Sequence, residues 1–91
     1  MVMKHIEIIP LALKKIRQRK IPIDWIEETL NSPEQVVDGF GGRKIRQKKY
    51  SLDNKEVLLR VVVDDEKDRL VVVTAYLTSQ IKRYWRQDYE G

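Results

Sequence analysis

The stretch EVLLRVVVDDEKDRLVVVTAYL, Glu56 to Leu77, limits what this chain can fold into more than any other. Two runs rich in β-branched residues, LLRVVV and LVVVTAY, flank the acidic segment Asp64 to Asp68, whose composition is that of a turn. The stretch therefore reads as a β-hairpin. Side chains alternate across a strand, so the first run puts Val57, Leu59, Val61 and Val63 on one face and Leu58, Arg60 and Val62 on the other. The second run separates Val71, Val73, Ala75 and Leu77 from Leu70, Val72, Thr74 and Tyr76. One face is apolar and the other mixed. Burying the apolar face against helices leaves Arg60, Thr74 and Tyr76 outside, with Arg60 nearly opposite Thr74 in a simple antiparallel register.

At 91 residues and 42% apolar content, the chain supports one core and hence a single domain spanning 1–91. The absence of cysteine excludes a disulfide framework and a thiolate metal site, and one histidine argues against an all-protein zinc site. No metal or cofactor is expected, and a reducing cytoplasm is the expected location. The N-terminal MVMKHIEII is too short and too charged an apolar run for a secretory leader, and nothing approaches a membrane span.

Met1 to Ile8 alternates loosely, as a short first strand or an irregular lead-in. Pro10 suits the first turn of a helix of about ten residues carrying Leu11, Ala12, Leu13 and Ile16. Lys20-Ile21-Pro22 breaks it. A second helix is expected from Ile23 to Asn31, acidic near its start, with Trp25, Ile26 and Leu30 for packing, and Asn31-Ser32-Pro33 ends it. Glu34 to Asp38 reads as a brief strand and Gly39 to Gly42 as the turn into a basic strand, Arg43 to Leu52. In that strand Lys44, Arg46, Lys48 and Tyr50 share one face, and Arg43, Ile45, Gln47 and Lys49 the other. Neither face is apolar, which points to a border with solvent or a polar ligand. Asp53-Asn54-Lys55 is a tight turn into the hairpin, and the tail after Leu77 is basic and aromatic, a final helical turn or strap that lets Tyr84 and Trp85 pack back on the domain. The expected fold class is α+β: two N-terminal helices on a four-stranded antiparallel meander.

The charge distribution says more than the net +4. Lys14 to Lys20 and Arg43 to Lys49 each hold five cations in seven residues, and Lys82, Arg83 and Arg86 form a third cluster. Such concentration favours a polyanionic partner, because cations clustered on phosphates release counterions; solvated faces of a charge-rich small protein are the alternative.

The helix ending RQRKI, the helix ending LNSPEQVVD, the strand RQKKY, then LLRVVV, VVVTAY and KRYW resemble a small uncharacterised bacterial and archaeal domain family. That family is in turn similar to the RelE/ParE toxin superfamily, whose helical hairpin packs on an antiparallel sheet and whose members include ribosome-dependent messenger-RNA endonucleases and gyrase poisons. The resemblance covers Ile9 to Trp85. It carries functional positions onto Arg19, Arg46, Lys48, Arg60, Thr74, Tyr76, Arg83 and Tyr84. The family's first-helix histidine falls on Leu11, so any proton transfer made by that histidine in relatives is missing here.

Metal-free RNA cleavage requires deprotonation of the 2′-hydroxyl, charge stabilisation on the phosphorane and protonation of the leaving oxygen. Lys48 as base, Arg60 with Arg46 as phosphate clamp, and Tyr76 or Tyr84 as orienting group or acid make a coherent histidine-free set. The catalytic candidates are thus Lys48, Arg60 and Tyr76, and the RNA-binding candidates Arg19, Lys44, Arg46, Thr74, Arg83 and Tyr84. Each has a plainer role: Arg60 as ion-pair partner of Glu28 or Glu56, Thr74 as a β-former, and the aromatics as core. The expected protein binds RNA, ribosome-bound or free, on the basic face of its sheet, with cleavage within its chemical reach. The alternative is a non-catalytic nucleic-acid- or protein-binding module on a degenerate toxin fold. An acidic antitoxin and a homodimer formed by edge-strand pairing are the further partners this reading implies.

Overall fold

The computed structural model describes residues 4–90, so Met1 to Met3 of the expected lead-in lie outside the described residues. The elements run β1 (His5–Ile8), α1 (Pro10–Gln18), α2 (Ile23–Asn31), β2 (Gln35–Asp38), a 3-10 turn at Phe40–Gly42, β3 (Lys44–Leu52), β4 (Lys55–Asp65), β5 (Arg69–Thr78) and α3 (Ile81–Tyr84). The class is α+β. The sheet has five strands in the order β1-β5-β4-β3-β2, and β1 pairs parallel to β5 while every other pair is antiparallel. The expected four-stranded meander is therefore short by one strand, and a third helix follows it. His5–Ile8 joins β5 through a partner more than sixty residues away, a pairing that local pattern does not reveal.

Both long helices cover one face of the sheet. Ala12 and Ile16 of α1 and Ile26 and Leu30 of α2 are fully buried with Leu59, Val61 and Val63 of β4 and Leu70, Val72 and Ala75 of β5. Each of the leucine, isoleucine and valine side chains contributes on the order of 1.5–3 kcal/mol by leaving water. Leu70 and Val72 share this face with Ala75, although strict alternation sends them to opposite faces. The reason is a β-bulge: Val62 pairs with Thr74 but Val63 with Val72, which leaves Val73 as an extra residue and inverts the parity of β5. Arg60 lies opposite Tyr76 rather than the expected Thr74, because the turn pairs Asp65 with Leu70, one residue on from the expected register, and the bulge adds one more.

Helix α1 starts with Pro10 in its first turn and ends in a Schellman arrangement, Ile21 N–H on Ile16 O and Lys20 N–H on Arg17 O. Lys20 takes the left-handed conformation, φ 56°, that glycine adopts at lower cost. Ile21 then drops into the core beside Ile16. The α2 side of the core closes with Trp25 stacked on Tyr50 at 4.4 Å. The Tyr50 hydroxyl donates to Trp25 O at 3.1 Å and so accepts from Thr29 Oγ1 at 2.9 Å. Burial raises the Tyr50 phenol above its ordinary value near 10; the Thr29 hydrogen bond opposes the rise, and the Glu28 and Glu34 carboxylates add to it.

Two outcomes follow from these local geometries. Lys20→Gly relieves the left-handed strain and raises the urea midpoint, a gain of about 1 kcal/mol. Because the folded state holds the Tyr50 proton above the pH at which the unfolded chain loses it, stability falls as pH rises from about 10. Tyr50→Phe flattens that alkaline slope in denaturation curves measured from pH 8 upward.

Candidate nucleic-acid interface

The sheet's parity divides the basic strand between two sites. The turn Asp53-Asn54, with φ of 52° and 65°, joins Leu52 to Lys55 as a two-residue hairpin and thereby sets Gln47 opposite Arg60. Gln47, Lys49 and Arg60 then share the face that α1 and α2 leave uncovered. Lys44, Arg46 and Lys48 pair with Val63, Val61 and Leu59 and lie on the helix side. The expected grouping of Lys48 and Arg46 with Arg60 is corrected on this point: they lie on opposite faces of the sheet.

On the helix side these cations serve the fold. Helix α2 has no basic residue in its last turn, and its terminal carbonyls need donors. Arg46 Nη1 donates to Leu30 O at 2.8 Å and Lys48 Nζ to Ser32 O at 3.1 Å, so β3 supplies the positive charge that a helix C-terminus favours. Lys48 also pairs with Glu28 at 3.3 Å, Arg46 approaches Asp65, and Lys44 pairs with Asp38. Lys44's hydrogen bond and charge hold the Asp38 carboxyl below its ordinary range. Arg19 Nη1 donates to Ala75 O at 2.7 Å, at the edge of β5 that β1 leaves bare beyond Val72.

The uncovered face has a different chemistry. Arg60, only 7% exposed, donates through Nε to Gln47 Oε1 at 2.9 Å and through Nη1 to the Tyr76 hydroxyl at 2.6 Å. Its guanidinium lies 4.1 Å from the Tyr84 ring centroid. Among the described residues it pairs with no carboxylate: Glu28 is on the helix side with Lys48, and Glu56 makes no ion pair. A buried charge without a counter-ion costs several kcal/mol, offset here by the amide, the phenol and the ring face. With its oxygen accepting from Arg60, Tyr76 has its hydroxyl hydrogen free to donate outward. Thr74, opposite Val62, stands on the same face as Arg60 and Tyr76.

The tail crosses this face and is held by its main chain. Gln47 Nε2 donates to Gln35 Oε1 at 2.8 Å and to Tyr84 O at 3.2 Å. Gln35 in turn accepts from Arg86 N–H at 3.0 Å and donates to Arg86 O at 2.8 Å. Tyr89 accepts from Val36 N–H at 3.0 Å. Tyr84 meets Tyr76 edge-on at 6.4 Å, Arg83 lies 5.4 Å from the Tyr84 ring, and Lys49 stands 4.0 Å over Trp85. Of the expected site residues, the fold thus assembles Arg60, Thr74, Tyr76, Arg83 and Tyr84, and it separates Lys44, Arg46, Lys48 and Arg19 from them. Gln35, Gln47, Lys49 and Trp85 join the site without having been singled out for it. The two-residue hairpin at Asp53-Asn54 was the signal for Gln47, since counting back from it reaches Arg60's partner.

This is an α+β domain whose helices cover one sheet face and whose other face holds an arginine–tyrosine cluster beneath a C-terminal strap. The chain belongs to the family described as a domain of unknown function, DUF4258, which matches residues 12–77, from α1 through most of β5. No curated protein and no solved structure matches it. Among the described residues no grouping of three or more metal-ligating side chains occurs, and no helix is long and apolar enough to cross a membrane.

The division between faces predicts a division of mutant effects. Arg46→Ala lowers unfolding free energy by about 1.5–3 kcal/mol, as expected for a charged hydrogen bond to a helix carbonyl, and Lys48→Ala by less. Urea titration of each variant beside the parent checks the size and order of these losses.

Proposed function

We propose that this chain is a RelE/ParE-like RNA-binding domain that grips single-stranded RNA on the uncovered face of its sheet. The observation that carries the reading is Arg60: a nearly buried guanidinium, oriented by Gln47 and Tyr76, with no carboxylate partner among the described residues. A phosphate oxygen is the counter-charge this arrangement suits, and Tyr76 supplies a hydroxyl donor beside it. Tyr84 and Trp85 offer ring faces of the kind that stack bases, and Lys49, Lys82 and Arg83 are cations without ion pairs among the described residues.

Binding is better supported than cleavage. The base assigned to Lys48 is on the other face, tied to Glu28, and Leu11 replaces the histidine of the resembled family. An acidic protein segment, such as an antitoxin would supply, competes for the same cations, and the RNA reading is preferred because the half-buried rings of Tyr84 and Trp85 accompany them.

Arg60→Met keeps the apolar stem and removes the charge; it weakens binding of a labelled single-stranded RNA at least tenfold at low salt. Arg83→Ala, at an exposed position, weakens it less and reduces the slope of log K against log salt by about 0.7. Unchanged affinity in both variants, or no RNA binding at low salt, would sink the proposal. Products ending in 2′,3′-cyclic phosphate, formed in chelator and absent with Arg60→Met, would add catalysis to binding.

A further inference from the structure

Beside the Arg60 cluster, between the β3–β4 hairpin and the tail, lies a cleft of about 730 Å³. That volume is in the range of small-ligand sites. Its walls include Ile81 and the indole of Trp85, three cations, Lys49, Lys82 and Arg83, and one carboxylate, Glu56. None of the three cations is in an ion pair among the described residues. Lys49 rests over the Trp85 ring, from which it can turn onto an anion at the cost of a cation–π contact of about 0.5–1 kcal/mol.

We infer that this cleft is a subsite for one nucleotide of single-stranded RNA. The base lies against Trp85 and Ile81, its phosphate is held by Lys49, Lys82 and Arg83, and Glu56 accepts from an amino group on the base edge. The chemistry of the lining selects this ligand. A flat ring with an attached negative charge matches an indole ringed by cations. The lone carboxylate would repel an acidic peptide at its end of the cleft, whereas it accepts the exocyclic amine of cytosine or adenine, which uracil lacks. Tyr84 separates the two sites, with Arg60 and Arg83 both against its ring, so neighbouring nucleotides of one strand reach both. The inference rests on the RNA-binding reading above and adds to it a second site with a base preference.

The test uses the full chain with Trp25→Phe. Trp25 is on the helix side, stacked on Tyr50, and its replacement leaves Trp85 as the sole indole. A cytidine hexanucleotide is titrated, and Trp85 emission is followed together with the anisotropy of the labelled oligonucleotide. The expected result is saturable quenching with the same midpoint as the anisotropy change, and tighter binding of oligocytidine than of oligouridine by about threefold or more. Glu56→Gln abolishes that preference, and Lys82→Ala with Arg83→Ala weakens binding about tenfold. Should the oligonucleotide bind, and lose affinity in Arg60→Met, while Trp85 emission stays constant and Trp85→Ala binds as tightly as the parent, the subsite is overturned and the RNA-binding reading stands. Absence of any anisotropy change at low salt overturns both. Quenching by polyglutamate but not by RNA overturns the subsite in favour of an acidic protein ligand.

Discussion

The β4–β5 pairing, with its single extra residue at Val73, is the constraint on which the remaining architecture depends. Without the bulge, Leu70 and Val72 would lie opposite the helices and the core would lose two of its fully buried side chains. With it, one strand serves the core along its whole length on one side and still presents Thr74 and Tyr76 on the other. Bulges characteristically re-aim side chains in this way near functional surfaces. The local cost of an interrupted ladder is set against burial of aliphatic groups worth several kcal/mol together.

Electrostatics follows from the same parity. A segment with five cations in seven residues looks from its composition like one continuous basic surface, yet the sheet sorts the four that fall in β3 between its faces. Lys44, Arg46 and Lys48 meet carboxylates and helix carbonyls and behave as structural cations. Lys49 remains on the other face, above Trp85. Charge count along the chain is thus a poor guide to charge available to a ligand, because the ends of helices consume cations as readily as phosphates do.

Much of the molecule is legible in its residues, for identifiable reasons. The helices over Pro10–Gln18 and Ile23–Asn31 announce themselves by Pro10, by the apolar spacing and by Asn31-Ser32-Pro33, all local signals. The three long strands follow from β-branched content and from the Asp53-Asn54 turn. The parallel strand β1 does not, since its four residues depend on a partner at the far end of the chain. The bulge is equally silent, because Val71, Val72 and Val73 are chemically alike and no residue marks which of them is surplus. In the site, Arg60, Thr74 and Tyr76 share a face as alternation implies, and the exclusion of Lys48 needed a register that a residue-by-residue reading of β3 alone does not contain.

The manner in which the strap is fastened has an evolutionary consequence. Gln35 and Gln47 grasp Tyr84 and Arg86 by backbone carbonyl and amide groups, which every amino acid except proline presents alike. The side chains of residues 81–87 are thereby relieved of much of the work of staying in place. Substitutions there can accumulate without unfastening the strap, so the chemistry this surface presents can change while the scaffold beneath stays as it is.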